Sequence, residues 1–171
     1  VCGSVLEPKE GLVKVILDVG HNPAAVSALM KRVKKQFIDQ GAAVRVVYAV
    51  SKDKNIQECV RAIVKNVPPD RVHFAKSTNW RAASHEELHR VFKEETGGLG
   101  VTDLGEDCVN PSDTIKRVLS LSACDGSEGF QDAVTVICGT GYIMPPARAL
   151  VGVQESSDEQ DLKLSTLMKD S

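Results

Sequence analysis

Val13-Lys14-Val15-Ile16-Leu17-Asp18-Val19-Gly20-His21-Asn22-Pro23 is the stretch on which the fold turns. Val13 to Leu17 is apolar and mostly β-branched, with one lysine, the make-up of a buried strand. Asn22-Pro23 reads as a helix start: an Asn side chain caps, and Pro fits the first turn because no N–H is needed there. Val26, Leu29, Met30, Val33 and Phe37 then recur at helical spacing, with Lys31, Arg32, Lys34 and Lys35 between them. A strand that turns directly into a helix is the unit of an open α/β sheet. Ligands gather at the carboxyl ends of its strands.

The same alternation runs outward. Gly41 stops the first helix, and Val44 to Val50 is a second strand. Asn55 to Asn66 is amphipathic through Ile56, Val60, Ile63 and Val64, and Pro68-Pro69 breaks it. Arg71 to Ala75 is a third, shorter strand. Ser84 and Glu87 have capping-box spacing ahead of Leu88, Val91 and Phe92, and Gly97-Gly98 ends that helix. Leu99 to Leu104 is read as a short strand. Pro111 opens a helix through Ile115, Val118, Leu119 and Leu121, and Asp125 to Gly129 is read as a loop. Ala133 to Cys138 is a buried strand that leads through Gly139-Thr140-Gly141 into a segment over Ile143 to Val151. Strands alternating with helices predict a three-layer, Rossmann-like α/β domain with a mostly parallel sheet of five or six strands. The expected boundaries are linker over 1–11, the domain over 12–152, and a polar, mobile tail over 153–171 in which Leu162, Leu164, Leu167 and Met168 allow a short docking helix.

At 171 residues, with 42% hydrophobic and 26% charged residues, the chain suits one ordinary domain. A net charge of −2 offers no general attraction to nucleic acid or an anionic membrane, so any anion site must be local. No apolar run reaches the ~20 residues of a membrane helix, and no signal peptide is visible. The first residue is Val1, so the chain is expected to begin inside a longer one. Cys2, Cys59, Cys108, Cys124 and Cys138 are scattered without a C-x-x-C pair, which suits free thiols in a reducing compartment. The expected location is therefore intracellular, most simply cytoplasmic, with organelle targeting left open. His85 and His89 have the spacing of two metal ligands on a helix but no third ligand close by, and a solvated helix face explains them better.

Four runs at strand ends carry chemistry. In the first, Asp18 can accept from ribose hydroxyls, Gly20 allows close approach or a positive φ, His21 can meet a base or phosphate, and the helix N–H groups favour an anion. The plainer alternative is that Asp18 and Asn22 only cap the helix. In Ser51-Lys52-Asp53-Lys54-Asn55, two lysines can hold a phosphate or an acidic substrate, or Asp53 is a cap among solvated lysines. In Thr78 to Ser84, Arg81 beside Trp80 can grip a carboxylate, or Trp80 covers the edge of the core. Gly139-Thr140-Gly141-Tyr142 is too short for the G-x-G-x-x-G fingerprint. The chain holds no G-x-x-x-x-G-K-[ST] loop and no G-x-S-x-G elbow.

Taken in order, these runs resemble the C-terminal domain of the folylpolyglutamate synthase and dihydrofolate synthase family, relatives of the Mur ligases. Asp18-Val19-Gly20-His21-Asn22-Pro23 is similar to that family's Asp-Gly-Ala-His-Asn-Pro signature. Ser51 to Asn55 looks like its Asp-Lys-Asp turn, Asn79 to Ala82 stands where it has Pro-Arg-Ala, and Gly139 to Tyr142 resembles its closing turn. The resemblance covers roughly residues 12 to 151. It implies an ATP-dependent ligase that phosphorylates a pteroate or folate carboxylate and joins L-glutamate to it as an amide. ATP would be the nucleotide, and Mg2+ would be held mainly by an N-terminal P-loop domain of the same polypeptide. Asp18 and His21 would contact the nucleotide, and Asn22 would cap the helix at the cleft. No residue of this stretch is assigned a catalytic or metal-binding role, and the chain alone is expected to be inactive. Val19, Gly20 and Trp80 depart from the family pattern, and its upstream Gly-Arg pair is absent, the first arginine being Arg32. Three rivals remain: a peptidoglycan-precursor ligase domain of the Mur type, a stand-alone nucleotide-binding module, and an interaction domain using the acidic tail.

Overall fold

The computed structural model describes residues 5–6, 13–98, 110–127, 130 and 132–153. The strand expected over Leu99 to Leu104, the tail beyond residue 153, Cys2 and Cys108 lie outside them. The elements are β1 (Val5–Leu6), β2 (Val13–Asp18), α1 (Pro23–Gln36), β3 (Ala43–Tyr48), α2 (Ile56–Val64), β4 (Val72–Phe74), α3 (His85–Thr96), α4 (Pro111–Ser127), β5 (Ala133–Cys138) and α5 (Met144–Leu150).

The sheet runs β1-β2-β5-β3-β4. β2, β5, β3 and β4 are parallel, and β1 adds an antiparallel edge. Val5–Leu6 therefore belong to the sheet although they fall within the stretch read as linker. β5 lies between β2 and β3, with Asp18 and Tyr48 both level with Cys138. The last-made parallel strand thus sits at the centre, and all six of its residues are buried.

Each helix begins where the local chemistry allows. Asn22 accepts from the Ala25 N–H at 2.9 Å, Asn55 from Glu58 N–H at 3.1 Å, and Ser84 from Glu87 N–H at 3.1 Å. Asp53 is therefore not the cap of α2. Gly97, at φ +66°, closes α3 in the left-handed region. Helix α4 runs through Asp125, Gly126 and Ser127, which the sequence assigns to a loop. The physical reason lies in Asp125, whose buried carboxylate is gripped by Arg45 on β3 and cannot leave with a loop.

Alternate residues of the sheet face opposite sides. Ile16, Val44, Val46, Tyr48, Val134, Val136 and Cys138 pack with the buried stripes of α1, α2 and α3. Val13, Val15, Val47 and Ile137 pack with Ile115 and Val118 of α4 and Ala147 of α5. Fully buried side chains such as Met30, Ile63 and Phe92 each stabilise the fold by roughly 1.5–3 kcal/mol. Because α1 and α5 leave β2 and β5 on opposite faces, a crevice opens between those strand ends. This is the topological switch point of the sheet.

Candidate functional site

Strands β2, β3 and β5 deliver their loops to that crevice. A cavity of about 220 Å³ is lined there by His21, Ser51, Asp53, Lys54, Arg81, Thr140, Gly141 and Tyr142. Residues from all four runs singled out in the sequence therefore meet at one place, though they span more than a hundred positions.

The β2 turn is built around its carboxylate. Asp18 Oδ1 accepts from the Gly20 N–H at 2.7 Å, and Oδ2 lies 3.4 Å from Arg32 on α1. A Cβ on Gly20 would stand 2.8 Å from Asp18 Oδ1 and 3.1 Å from the Ala25 Cβ. Gly20 is not among the positive-φ glycines, so its need is space beside Asp18 and Ala25 rather than an unusual φ. His21 is exposed, and its Nδ1 lies 3.0 Å from the Val19 carbonyl. A carbonyl only accepts, so Nδ1 holds the proton and Nε2 of the neutral ring is left as an acceptor. Of the three residues expected to bind nucleotide, His21 reaches the cavity wall. Asp18 is engaged within the turn, and Asn22 spends its side-chain oxygen on the cap.

The second and third runs are zipped together. Ser51 and Ala82 form an antiparallel bridge, the Lys52 N–H donates to the Arg81 carbonyl at 2.8 Å, and the Ala83 N–H donates to Val50 at 2.9 Å. Across this seam Arg81 meets Asp53 at 2.8 Å, and Lys54 meets Asp53 at 3.4 Å. Burial alone would raise the Asp53 carboxyl. A backbone N–H bond and the Arg81 and Lys54 charges outweigh it and hold the carboxyl below the usual carboxylate range. The cavity thus has two cations on one wall, partly balanced by one carboxylate. Trp80 does not cover the core edge, as one reading of the sequence had it: its side chain is 81% exposed, with Lys52 and Arg81 at 5.6 and 5.9 Å from the ring centroid.

The fourth run closes the cavity floor. Gly139 has φ +115°, and a Cβ there would overlap the Ala49 carbonyl oxygen and press on the Tyr48 ring. Thr140 Oγ1 accepts from the Tyr142 N–H at 3.4 Å, which starts the single helical turn Gly141–Ile143.

Among the described residues no three His, Cys, Asp or Glu side chains converge on a metal site. Asp53, the one carboxylate on the cavity wall, is already held between two cations, so the cavity does not fit a magnesium ion held by this domain alone. His85 and His89 pack ring to ring on α3, with centroids 4.2 Å apart. Cys59, Cys124 and Cys138 form no disulfide among the described residues. No helix of the described residues is long and apolar enough to cross a membrane.

Sequence reasoning missed two arrangements. One is the Arg32 contact to Asp18, which joins α1 back to the turn that starts it. The other is a buried network at the opposite end of the sheet, where Arg45, Arg71 and His73 surround Asp125. Neither leaves a local signature, since partners so far apart show no spacing.

No curated protein matches the chain. Solved structures do. Folylpolyglutamate synthase of Mycobacterium tuberculosis, complexed with ADP and AMPPCP, is 27% identical with a TM-score of 0.63, over 81% of this chain and 30% of that one. The ligand-free bifunctional folylpolyglutamate synthase/dihydrofolate synthase of Yersinia pestis gives 18% identity and a TM-score of 0.57, over 89% of this chain and 32% of that one. E. coli FolC in complex with DHPP and ADP gives 19% and 0.58, over 90% and 32%. The last two bear on the fold alone. The chain spans about a third of the length of these structures. A family model described as "Mur ligase, glutamate ligase domain" matches residues 5–141. With that match over most of its length, the chain belongs to the Mur ligase family, as its glutamate ligase domain.

Proposed function

We propose that this domain forms one wall of the active site of an ATP-dependent ligase that joins L-glutamate to a pteroate or folate carboxylate through an acyl phosphate. The observation that carries the reading is the cavity at the switch point. It is lined by His21, Lys54, Arg81 and Thr140, on the loops that follow the strands of a family-assigned glutamate ligase domain. The likeness to a folylpolyglutamate synthase at 27% identity supports the folate branch over a peptidoglycan-precursor substrate.

The side chains divide the work by their chemistry. His21 Nε2, the free acceptor, suits a ribose hydroxyl of ATP. Asp18 fixes the turn that carries His21 and keeps one oxygen toward Arg32, from which a second ribose hydroxyl can take it over. Asn22 holds the helix start in place. Lys54 and Arg81 present cations to the carboxylates of the incoming glutamate, with Asp53 balancing their charge until it arrives. Holding the amine of glutamate against the acyl phosphate supplies rate by proximity. ATP phosphorylates the acceptor carboxylate, and Mg2+ would be carried with the phosphates by a P-loop domain rather than by this one. On this reading the chain alone turns over no ATP.

The test is an NMR titration of the isotope-labelled chain with Mg-ATP, first alone and then with the P-loop domain encoded with it. Shifts at His21 and Thr140 to Tyr142 that vanish in His21→Ala and weaken in Asp18→Ala are expected. Amides in this crevice that stay unmoved under both conditions would sink the reading.

A further inference from the structure

A second cavity, of about 320 Å³, lies at the end of the sheet where β3 begins. Ile38, Ala42, Val44, Pro68 and Phe130 make its lining apolar, and Arg71 is its one charged side chain. The volume falls within the ~300–1,000 Å³ of small-molecule pockets, whose usual make-up is an apolar lining with a few placed polar groups. The ligase reading has no use for it. Strand β3 runs from Ala43 beside this cavity to Tyr48 at the crevice, so roughly 15–20 Å of strand separates the two.

Arg71 closes the single turn Pro69–Arg71 and stands directly before β4. Only 18% of its side chain is exposed, and the Phe130 ring lies against its guanidinium, 4.9 Å from centroid to carbon. The carboxylate of Asp125 is 3.6 Å away, beyond hydrogen-bond reach, and both of its oxygens already accept from Arg45 at 2.7 and 3.0 Å. The Arg71 guanidinium therefore makes no hydrogen bond among the described residues, although it carries a fork of N–H donors. A mostly buried cation with idle donors, on the wall of an apolar cavity, is completed by a carboxylate that arrives on an apolar body.

We propose that this cavity is a binding site for a small monocarboxylate with an aromatic or branched aliphatic body. The carboxylate forks onto Arg71, and the body lies against Ile38, Val44 and Phe130. Arg71 is available for this because Arg45 alone satisfies both oxygens of Asp125, so the buried pair survives when Arg71 turns to the ligand. The charge and the lining each exclude a class. An uncharged apolar molecule leaves the guanidinium donors idle, and a small anion without a body leaves the apolar wall uncovered. The site depends on no part of the nucleotide reading.

The test is an NMR titration of the isotope-labelled chain with benzoate and with 4-methylpentanoate, against benzamide and acetate as matched probes. Both acids are expected to shift the amides of Ile38, Ala42 and Val72 and the Arg71 side-chain N–H. Saturation is expected on the order of 10 mM, the affinity that so few non-hydrogen atoms supply. Benzamide, which lacks the charge, and acetate, which lacks the body, should each bind roughly 10-fold more weakly or worse. Arg71→Met should cost the acids about the same factor, and Arg71→Lys should recover part of it. Ala42→Phe, which fills the cavity and keeps the charge, should abolish binding, and the spectrum of each variant shows whether it is folded. Three results overturn the proposal. Equal affinity for benzoate and benzamide removes the role of Arg71. Shifts confined to Arg81 and to Thr140 to Tyr142 place the acids in the crevice instead. No saturable shift at the cavity amides with either acid removes the site.

Discussion

Arg45 and Asp125 stand 80 residues apart and form a two-pronged ion pair, with Arg45 Nε 2.7 Å from Asp125 Oδ2 and the terminal nitrogen 3.0 Å from Oδ1. The side chains keep only 13 and 6% of their surface exposed, and Arg71 adds a second cation at 3.6 Å. Removing Asp125 leaves two arginines sharing a buried site without their counter-charge. Asp125→Ala is expected to cost about 3–5 kcal/mol, measured as a fall in urea midpoint at unchanged slope. The double change Arg45→Met, Asp125→Leu should recover part of the loss, since a well-packed apolar pair replaces two of the ions while Arg71 keeps its charge beside them.

His73 makes the same network sensitive to acid. Burial first, and then the Arg45 charge, push its imidazole down from 6.5 to about 4, against the pull of Asp70 and Asp125. Arg45 donates toward Nε2 at 3.4 Å, so the proton sits on Nδ1, which is buried with no partner among the described residues. Between pH 6.5 and 4 the unfolded chain takes up a proton that the folded chain refuses. Stability therefore falls as pH falls through that window, by roughly 2–3 kcal/mol at its lower end, and is flat on this account above it. His73→Gln should abolish that slope in urea titrations from pH 7 to 4; an unchanged slope would assign it elsewhere.

Gly139 and Tyr48 meet where β5 hands the chain to the cavity floor. Any side chain at Gly139 collides with a backbone carbonyl that cannot step aside, at a φ that L residues resist. Gly139→Ala is expected to cost roughly 3 kcal/mol and to displace the amides of Thr140 to Tyr142 in NMR spectra, while those around Arg45 stay in place.

The Tyr48 hydroxyl is buried beside the Cys59 thiol, a weak hydrogen-bond partner. Burial, with the neighbouring Cys59 and Cys138 thiols, pushes its ionisation far above the ordinary range, so it stays neutral at any working pH. Tyr48→Phe keeps the ring against Gly139 and removes the poorly satisfied hydroxyl. It is expected to raise stability by about 1 kcal/mol, read from thermal or urea unfolding. A loss of stability would mean that the hydroxyl has a stronger partner in solution, such as an ordered water.

What could be read in advance depended on distance along the chain. Val13 to Leu17 and Ala133 to Cys138 declared themselves because a strand covered on both faces needs a near-continuous apolar run, here interrupted only by Lys14 and Thr135. Asn22, Ser84 and Gly97 declared the helix ends because capping is chemistry between residues three or four apart. All four runs on the cavity could be picked out singly, since strand ends are where α/β sheets bind. Their meeting came from the order β2-β5-β3-β4, which no run encodes. Asp125 was misread for the same reason: Asp-Gly-Ser is turn chemistry locally, and only Arg45 makes it helical. Trp80 carried no pattern at all, because whether an aromatic residue is buried or displayed depends on what packs beside it.

Arg81 and Asp53 give the sharpest functional expectation, because their pairing can be read before any substrate is present. Arg81 approaches Asp53 at 2.8 Å across a seam whose backbone bonds do not use either side chain, so replacing Arg81 leaves the seam closed. Arg81→Ala should let the Asp53 carboxyl rise part of the way toward 3.8, followed by carbon NMR of the chain alone from pH 2 to 6, because the backbone N–H bond and Lys54 then hold it without the guanidinium. In the whole ligase the same change should raise the KM for glutamate roughly 10-fold or more while the KM for ATP moves little. Arg81→Lys should recover part of the first effect, since a point charge replaces the fork without its two-pronged geometry. An ATP constant that moves with the glutamate constant would place Arg81 on the phosphates instead, and the division of labour along this wall would have to be redrawn.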